Sequence, residues 1–234
     1  MAGFSSCYDQ RIGTLVIVRH GQSQWNLENR FTGWTDVPLT PQGEKDAATA
    51  ATHLKDFHFD CAYTSRLQRA AKTLDILLKG LGQSDIPVTA DSALNERHYG
   101  DLQGLNKAET AAKYGQEKVL LWRRSYGTRP PNGESVEDVG YRVLPYIRWT
   151  VLPLVYSGKT ILVTASGNSM RPIIKWLDTL DDETAATMEV GLCTPYIYTF
   201  DAQGNITKRE VRQIPGIVTK GASQTETTVE KGRV

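Results

Sequence analysis

The sequence predicts an α/β fold, with a largely parallel central sheet flanked by helices. Three observations carry this. Short runs rich in β-branched residues, TLVIV (residues 14–18), DCAYT (60–64), IPVTA (86–90) and TILVTA (160–165, with its leading Thr), read as buried strands. Segments with apolar residues at helical spacing lie between them. Alternating strands and helices imply parallel strands joined by helical crossovers.

The first run ends in Arg19-His20-Gly21, so a strand feeds a loop with chemical groups on it. Residues 40–57 read as a helix: Thr40 suits the N-cap, Pro41 the first helical position, and Ala47, Ala50, Ala51 and Leu54 share a face. After the second strand, Leu67, Ala70, Ala71, Leu74, Leu77, Leu78 and Leu81 form the stripe of another helix, which Gly80 and Gly82 help to end. Residues 95–132 are polar and rich in charged and aromatic side chains, predicting loops and short helices that wall a site. A long helix spans about 135–156, with Pro145 and Pro153 inside it predicting a kink or break. Beyond the strand at 160–165 come Ser-Gly-Asn and a helix near 169–180. YIYTF, the turn DAQGN and ITKREV make a terminal hairpin. The whole reads as one domain over 1–234, with an N-terminal extension at 1–13 and a mobile tail at 215–234 rich in Gly, Ser, Thr and charge.

Composition narrows the function. The 234 residues include 27 basic and 26 acidic side chains, so the chain lacks the basic excess of a nucleic-acid or membrane-surface binder. Cys7, Cys61 and Cys193 are far apart and odd in number, predicting reduced thiols and no disulfide framework. No apolar run approaches membrane-span length, and MAGFSSCYDQR has no signal-like core. A cytoplasmic protein is the expectation.

His20, leaving a buried strand next to Gly21, can be held rigidly while a ligand approaches the backbone. A neutral imidazole can accept a phosphoryl group, and Arg19 supplies a charge suited to phosphate. Arg66 and Arg69 fall one turn apart at a helix start, where free N–H groups favour anions. Glu96 sits beside Arg97 and His98 and is a candidate proton carrier. Lys107, Arg123 and Arg124 add cations. Each motif alone also reads as a solvated surface; it is their combination that points to an anionic substrate. His20, His53, His58 and His98 include no metal-ligand spacing, so metal catalysis is the less favoured reading, and no Gly-rich P-loop is present, so nucleotide-driven phosphoryl transfer is not expected.

The stretches LVIVRHGQSQWNLENRFTGWTDVPLT, YTSRLQRAAKT, LNERHYGDLQGLNKAET, LWRRSY and PPNGES together resemble the histidine phosphatase superfamily, and within it the cofactor-dependent phosphoglycerate mutases, over about residues 14–212. The resemblance implies a mutase-like fold and interconversion of 3-phosphoglycerate and 2-phosphoglycerate in glycolysis and gluconeogenesis. His20 would carry the phosphoryl group, primed by 2,3-bisphosphoglycerate and without a metal. Arg19 and Arg69 would clamp that group, with Ser23 and Asn26 donating hydrogen bonds. Glu96 would shuttle the proton. Thr32, Gly33, Arg97, His98, Tyr99, Lys107, Arg123, Arg124, Gly167 and Asn168 would contact substrate. The tail would fold over the site. Phosphoglycerates are the expected partners, with neither nucleic acid nor membrane, and a monomer or homodimer is expected.

The chain departs from the family pattern in one cluster. The family's second histidine is Ser166, its glycine in T-G-x-P is Cys193, and Met170 and Pro172 replace commoner Leu and Ala. Ser166, placed in the catalytic set by position, can donate a hydrogen bond but carries no charge. This keeps open an alternative: a divergent relative with weak phosphatase activity, or a non-catalytic phosphoglycerate-binding protein.

Overall fold

The computed structural model describes residues 12–217. The expectations for Cys7, for most of the N-terminal extension and for the tail beyond residue 217 lie outside the described residues.

β1 (Gly13–Arg19) runs through the centre of the sheet, and Leu15, Val16, Ile17 and Val18 are all fully buried. Helices cover both faces, so the strand reads as an unbroken apolar run, with no alternation. A capping box between Ser23 and Asn26 starts the short α1 (Gln24–Leu27). α2 (Pro41–Thr52) begins where Thr40 caps Gly43, as expected, but stops five residues before residue 57. His53 and Leu54 bond back three residues, to Ala50 and Ala51, and these tighter turns bring Phe57 against Phe59. β2 (Cys61–Thr64) leads into α3 (Gln68–Leu81), which Gly82 closes in the left-handed conformation at φ 68°. β3 (Val88–Ala90) is an exposed three-residue edge, shorter than the predicted 86–90, as Pro87 is unable to donate to a ladder.

Two 3-10 turns (Ser92–Leu94 and Gly100–Leu102) precede α4 (Lys107–Tyr114) and α5 (Gln116–Arg124). The predicted helix at 135–156 divides into α6 (Val136–Tyr146), a π turn (Ile147–Val151) and α7 (Leu152–Tyr156). Pro153 lacks an N–H and its ring crowds the carbonyl four residues back, and the wider turn relieves this. β4 (Thr160–Ala165) matches its expected span. α8 (Gly167–Leu177) starts two residues earlier than predicted, because Ser166 sits at its N-cap, and ends earlier, before Thr179 turns to φ 54°. α9 (Asp182–Thr187), capped by Asp181, had no strong periodic signal. β5 (Pro195–Phe200) and β6 (Ile206–Val211) form the expected hairpin.

The strand order is β3-β2-β4-β1-β5-β6. The first four strands are parallel, and β5 and β6 are antiparallel. Leu15 and Ile17 face α6, the π turn and α8, while Val16 and Val18 face α2 and α3. Register places Arg19 opposite Ala165 and Thr64 opposite Thr164. The carboxyl ends of β1, β2 and β4 therefore release His20, Ser65 and Ser166 at one edge of the sheet, where ligands of parallel sheets bind.

Candidate active site

His20 is buried at the end of β1, and its backbone N–H donates to Ala165 O at 3.0 Å. Its Nδ1 lies 2.7 Å from Gly21 O. A carbonyl only accepts, so Nδ1 carries the proton and the Nε2 lone pair is bare. Burial, then Arg69 and Arg19, hold the imidazole well below its ordinary value, against the opposing pull of the Gly21 bond. At neutral pH the ring is uncharged. The loop behind it is braced: Gly21 N donates to Thr73 Oγ1 at 3.0 Å, and a Cβ on Gly21 would meet Gly43 O at 2.4 Å.

Arg69, on the first turn of α3, is fully buried. Its Nη2 donates to Gly33 O at 2.8 Å and its Nη1 to Thr35 O at 3.1 Å. Gly33 and Thr35 thus fix the guanidinium from behind, and Thr32 is buried in the same loop. Arg66, in contrast, points to solvent. One turn of helix separates the two, and only Arg69 faces the sheet end. Arg19 donates from Nη1 to Val190 O at 2.6 Å, while its buried Nε has no partner. Burial lowers both arginines, and the Glu96 carboxylate opposes this most strongly at each.

Glu96 is buried. Its Oε1 accepts from Arg97 N at 2.7 Å, and its carbonyl accepts from Trp34 Nε1 and, at 2.9 Å, from Arg142 Nη2. Arg97 is 0% exposed, yet Nε, Nη1 and Nη2 all lack hydrogen-bond partners. Its guanidinium lies 4.5 Å from the centre of the Tyr99 ring, and Tyr99 Oη accepts from Asn168 Nδ2 at 3.1 Å. Lys107, Arg123 and Arg124 are half-buried. Burial, Arg123 and Arg19, against Glu96, bring Lys107 down to about 8.

Other expected residues stand differently. The Ser23 hydroxyl donates to Asn26 Oδ1 at 2.9 Å within the α1 capping box. Its proton is therefore engaged, leaving donation to a ligand to the Asn26 amide. His98 Nδ1 accepts from Gly100 N at 3.0 Å, and the ring packs edge-on against Trp34, which makes it a brace for that loop. Gly167 opens α8 against the Arg19 guanidinium. Ser166 is 0% exposed and its Oγ has no partner. Cys193 holds φ 50° and donates N–H to Arg19 O at 3.0 Å, so this chain keeps a glycine-like backbone beneath a cysteine.

Sequence reasoning missed Arg171, whose Nη1 donates to Ala185 O and Ala186 O and ties α9 to α8; burial, Arg124, Arg19 and Arg97 bring it down to about 10, with Tyr99 opposing. It also missed Arg142, Trp34 and Thr73. A lone Arg in an amphipathic helix, or a Thr in an apolar stripe, carries no local signal.

Arg19, Arg69 and Lys107 thus feel the Glu96 carboxylate, Arg97, Arg123, Arg124 and Arg171 lie in electrostatic reach of these cations, and Arg19 Nε, three nitrogens of Arg97 and Ser166 Oγ are buried without partners. A small ligand bearing several negative charges satisfies this chemistry. Among the described residues, no group of three or more His, Cys, Asp or Glu side chains could hold a metal, and no helix is long and apolar enough to cross a membrane.

Comparison with known proteins agrees with the geometry. A 2,3-bisphosphoglycerate-dependent phosphoglycerate mutase of Bartonella quintana (strain Toulouse) is 48% identical over 200 residues, covering 85% of this chain and 97% of that protein. The protein of the same description from Brucella anthropi is 50% identical over 200 residues, covering 85% and 97%. Among solved structures, a mycobacterial glucosyl-3-phosphoglycerate phosphatase superposes with TM-score 0.73 at 26% identity, covering 86% of this chain and 98% of that one. A phosphoglycerate mutase from Bacillus anthracis str. Sterne gives TM-score 0.69 at 25% identity, covering 87% and 94%. Residues 15–211 match the histidine phosphatase superfamily (branch 1), and the chain belongs to that family.

Proposed function

We propose that this chain is a 2,3-bisphosphoglycerate-dependent phosphoglycerate mutase, working in the cytoplasm and in one domain. The observation that carries the reading is the bare Nε2 of a neutral, buried His20 between the anchored Arg19 and Arg69. Relatives named for this activity match over nearly their whole length.

His20 Nε2 attacks phosphorus, the N–P bond forms and the bond to the donor oxygen breaks. Arg19 and Arg69 stabilise the charge on the equatorial oxygens, already oriented by Val190, Gly33 and Thr35. The Asn26 amide adds a hydrogen bond. Glu96 delivers the proton that the departing substrate oxygen needs, and takes it back when a phosphoglycerate hydroxyl reclaims the phosphoryl group. Arg97, stacked on Tyr99, binds the carboxylate or distal phosphate together with Lys107, Arg123, Arg124 and Asn168. The unpartnered nitrogens of Arg97 fit 2,3-bisphosphoglycerate as the primer, which supplies the phosphoryl group to His20.

The test is an enolase-coupled assay with and without 2,3-bisphosphoglycerate, joined to detection of acid-labile phosphate on the protein. Activity that requires the primer, and a label lost in His20→Ala, are expected. Ser166 favours the second reading, a phosphatase or a phosphoglycerate binder; release of inorganic phosphate without isomerisation, or binding without turnover, would establish it in place of the mutase.

A further inference from the structure

Arg142 projects from α6, whose Val139 and Val143 are fully buried, and its guanidinium engages all five of its N–H groups. Nε donates to Glu134 Oε1 at 2.9 Å and Nη2 to Glu134 Oε2 at 3.0 Å. Nη1 donates to Ala93 O and to Asn95 O, each at 2.8 Å, and Nη2 donates also to Glu96 O at 2.9 Å. Glu134 in turn ties down residue 98: its Oε2 accepts from His98 N and its own N–H donates to His98 O, both at 2.8 Å. The loop 93–98, which carries Glu96, is thus gathered onto Arg142 and its partner carboxylate. Glu96 O takes a second hydrogen bond from Trp34 Nε1, and Trp34 sits between Gly33 and Thr35, whose carbonyls hold Arg69. The Arg142 guanidinium also lies 5.7 Å from the centre of the Trp34 ring.

The other side of the same peptide group reaches the carboxylate, because Arg97 N donates to Glu96 Oε1 at 2.7 Å. A peptide is planar, so its C=O and the following N–H turn together. Given the roles of His20 and Glu96 set out above, we propose that Arg142 is a positioning residue for proton transfer: with Trp34 it fixes the plane of the Glu96–Arg97 peptide, and that plane aims the Glu96 carboxylate at the departing substrate oxygen. The Arg97 N–H occupies Oε1, which leaves Oε2 to carry the proton. Three carbonyls and a carboxylate match a planar group with five donors and not a compact ammonium, so charge alone does not do this work. Arg142 touches backbone carbonyls, Glu134 and the Trp34 ring, and no side chain assigned to substrate. Its effect on the reaction therefore passes through Glu96.

Rapid-quench measurement of phospho-His20 formed from two donors reads the outcome. 2,3-Bisphosphoglycerate releases a glycerate oxygen, which needs the Glu96 proton as the P–O bond breaks and the N–P bond forms. 2,4-Dinitrophenyl phosphate releases a phenolate, which leaves as a stable anion and needs none. Arg142→Lys should slow labelling from 2,3-bisphosphoglycerate about thirtyfold and Trp34→Phe about fivefold, while labelling from the aryl phosphate changes by less than about twofold. In the Glu96→Gln background, Arg142→Lys should cost nothing more. Trp34 is 41% exposed, so Trp34→Phe decides the matter if Arg142→Lys does not fold. Equal slowing with both donors, or slowing with neither, overturns the assignment, and so does a full further loss in the Glu96→Gln background. An unaltered chain that forms no phospho-His20 from either donor would refute the function proposed above, and this role with it.

Discussion

The backbone N–H of His20 donates to the carbonyl of Ala165 at 3.0 Å, so His20 and Ser166 leave adjacent parallel strands side by side. A change at residue 166 therefore acts beside the nucleophile. Loss of one well-placed donor in such a site costs about 2.7–4 kcal/mol of transition-state stabilisation. Ser166→His should raise kcat of the mutase by about tenfold or more, measured at saturating 2,3-bisphosphoglycerate. A slower histidine variant would mean that Cys193 and Pro172 have adapted the pocket to serine.

Arg97 should show a conflict between stability and binding. A buried guanidinium without hydrogen bonds is costly, and the Tyr99 ring offsets only part of this. Arg97→Met should raise the melting temperature of the ligand-free protein by about 2 °C or more. It should also remove the further rise that 3-phosphoglycerate gives the parent chain. Differential scanning calorimetry with and without ligand measures both.

Lys107 sets an alkaline limit. Burial and neighbouring arginines bring it down to about 8, so its charge is lost as pH rises through that value. KM should rise above about pH 8 with the loss of one proton, while kcat changes less. Lys107→Arg should move that limb upward, as guanidinium stays protonated. The folding contribution has the opposite sense. The unfolded side chain, with its ordinary value of 10.5, holds the proton longer, so this group's destabilisation is present below about pH 8 and is relieved as pH rises towards 10.5.

Cys193 combines a left-handed backbone with complete burial, and burial pushes its thiol up. Cys193→Val puts a β-branched residue at φ 50° and should destabilise the fold by about 2 kcal/mol or more in urea unfolding. Cys193→Gly exchanges lost thiol packing for backbone relief and should cost less. The reverse order would deny that the backbone matters at this position.

Much of this arrangement was legible in the sequence, for identifiable reasons. Continuous apolar runs mark strands covered on both faces, so β1, β2 and β4 were visible. Thr40-Pro41 marked the start of α2 because capping is local chemistry. Where α2 ends was hidden, because the tight turns after it serve the packing of Phe57 and Phe59. Arg66 and Arg69 look alike in sequence; only the rotation of α3 against β4 decides which one is buried. Resemblance supplied the rest of the candidate set, including the position of Ser166. Arg142 and Thr73 escaped because their partners, Glu134 with the Glu96 carbonyl and the Gly21 amide, are set by tertiary contacts.

The concentration of fixed positive charge around Glu96 has a kinetic consequence. The chain as a whole carries a formal charge of only +1, so the field that draws a phosphoglycerate inward is local to this cluster. Arg19, Arg69 and Arg171 are held by backbone carbonyls, so that field exists before any encounter. Capture of polyanions should then be guided by diffusion in a standing potential, slowing steeply as ionic strength shortens the Debye length, while the chemistry among the buried His20, Arg69 and Glu96 keeps its pace.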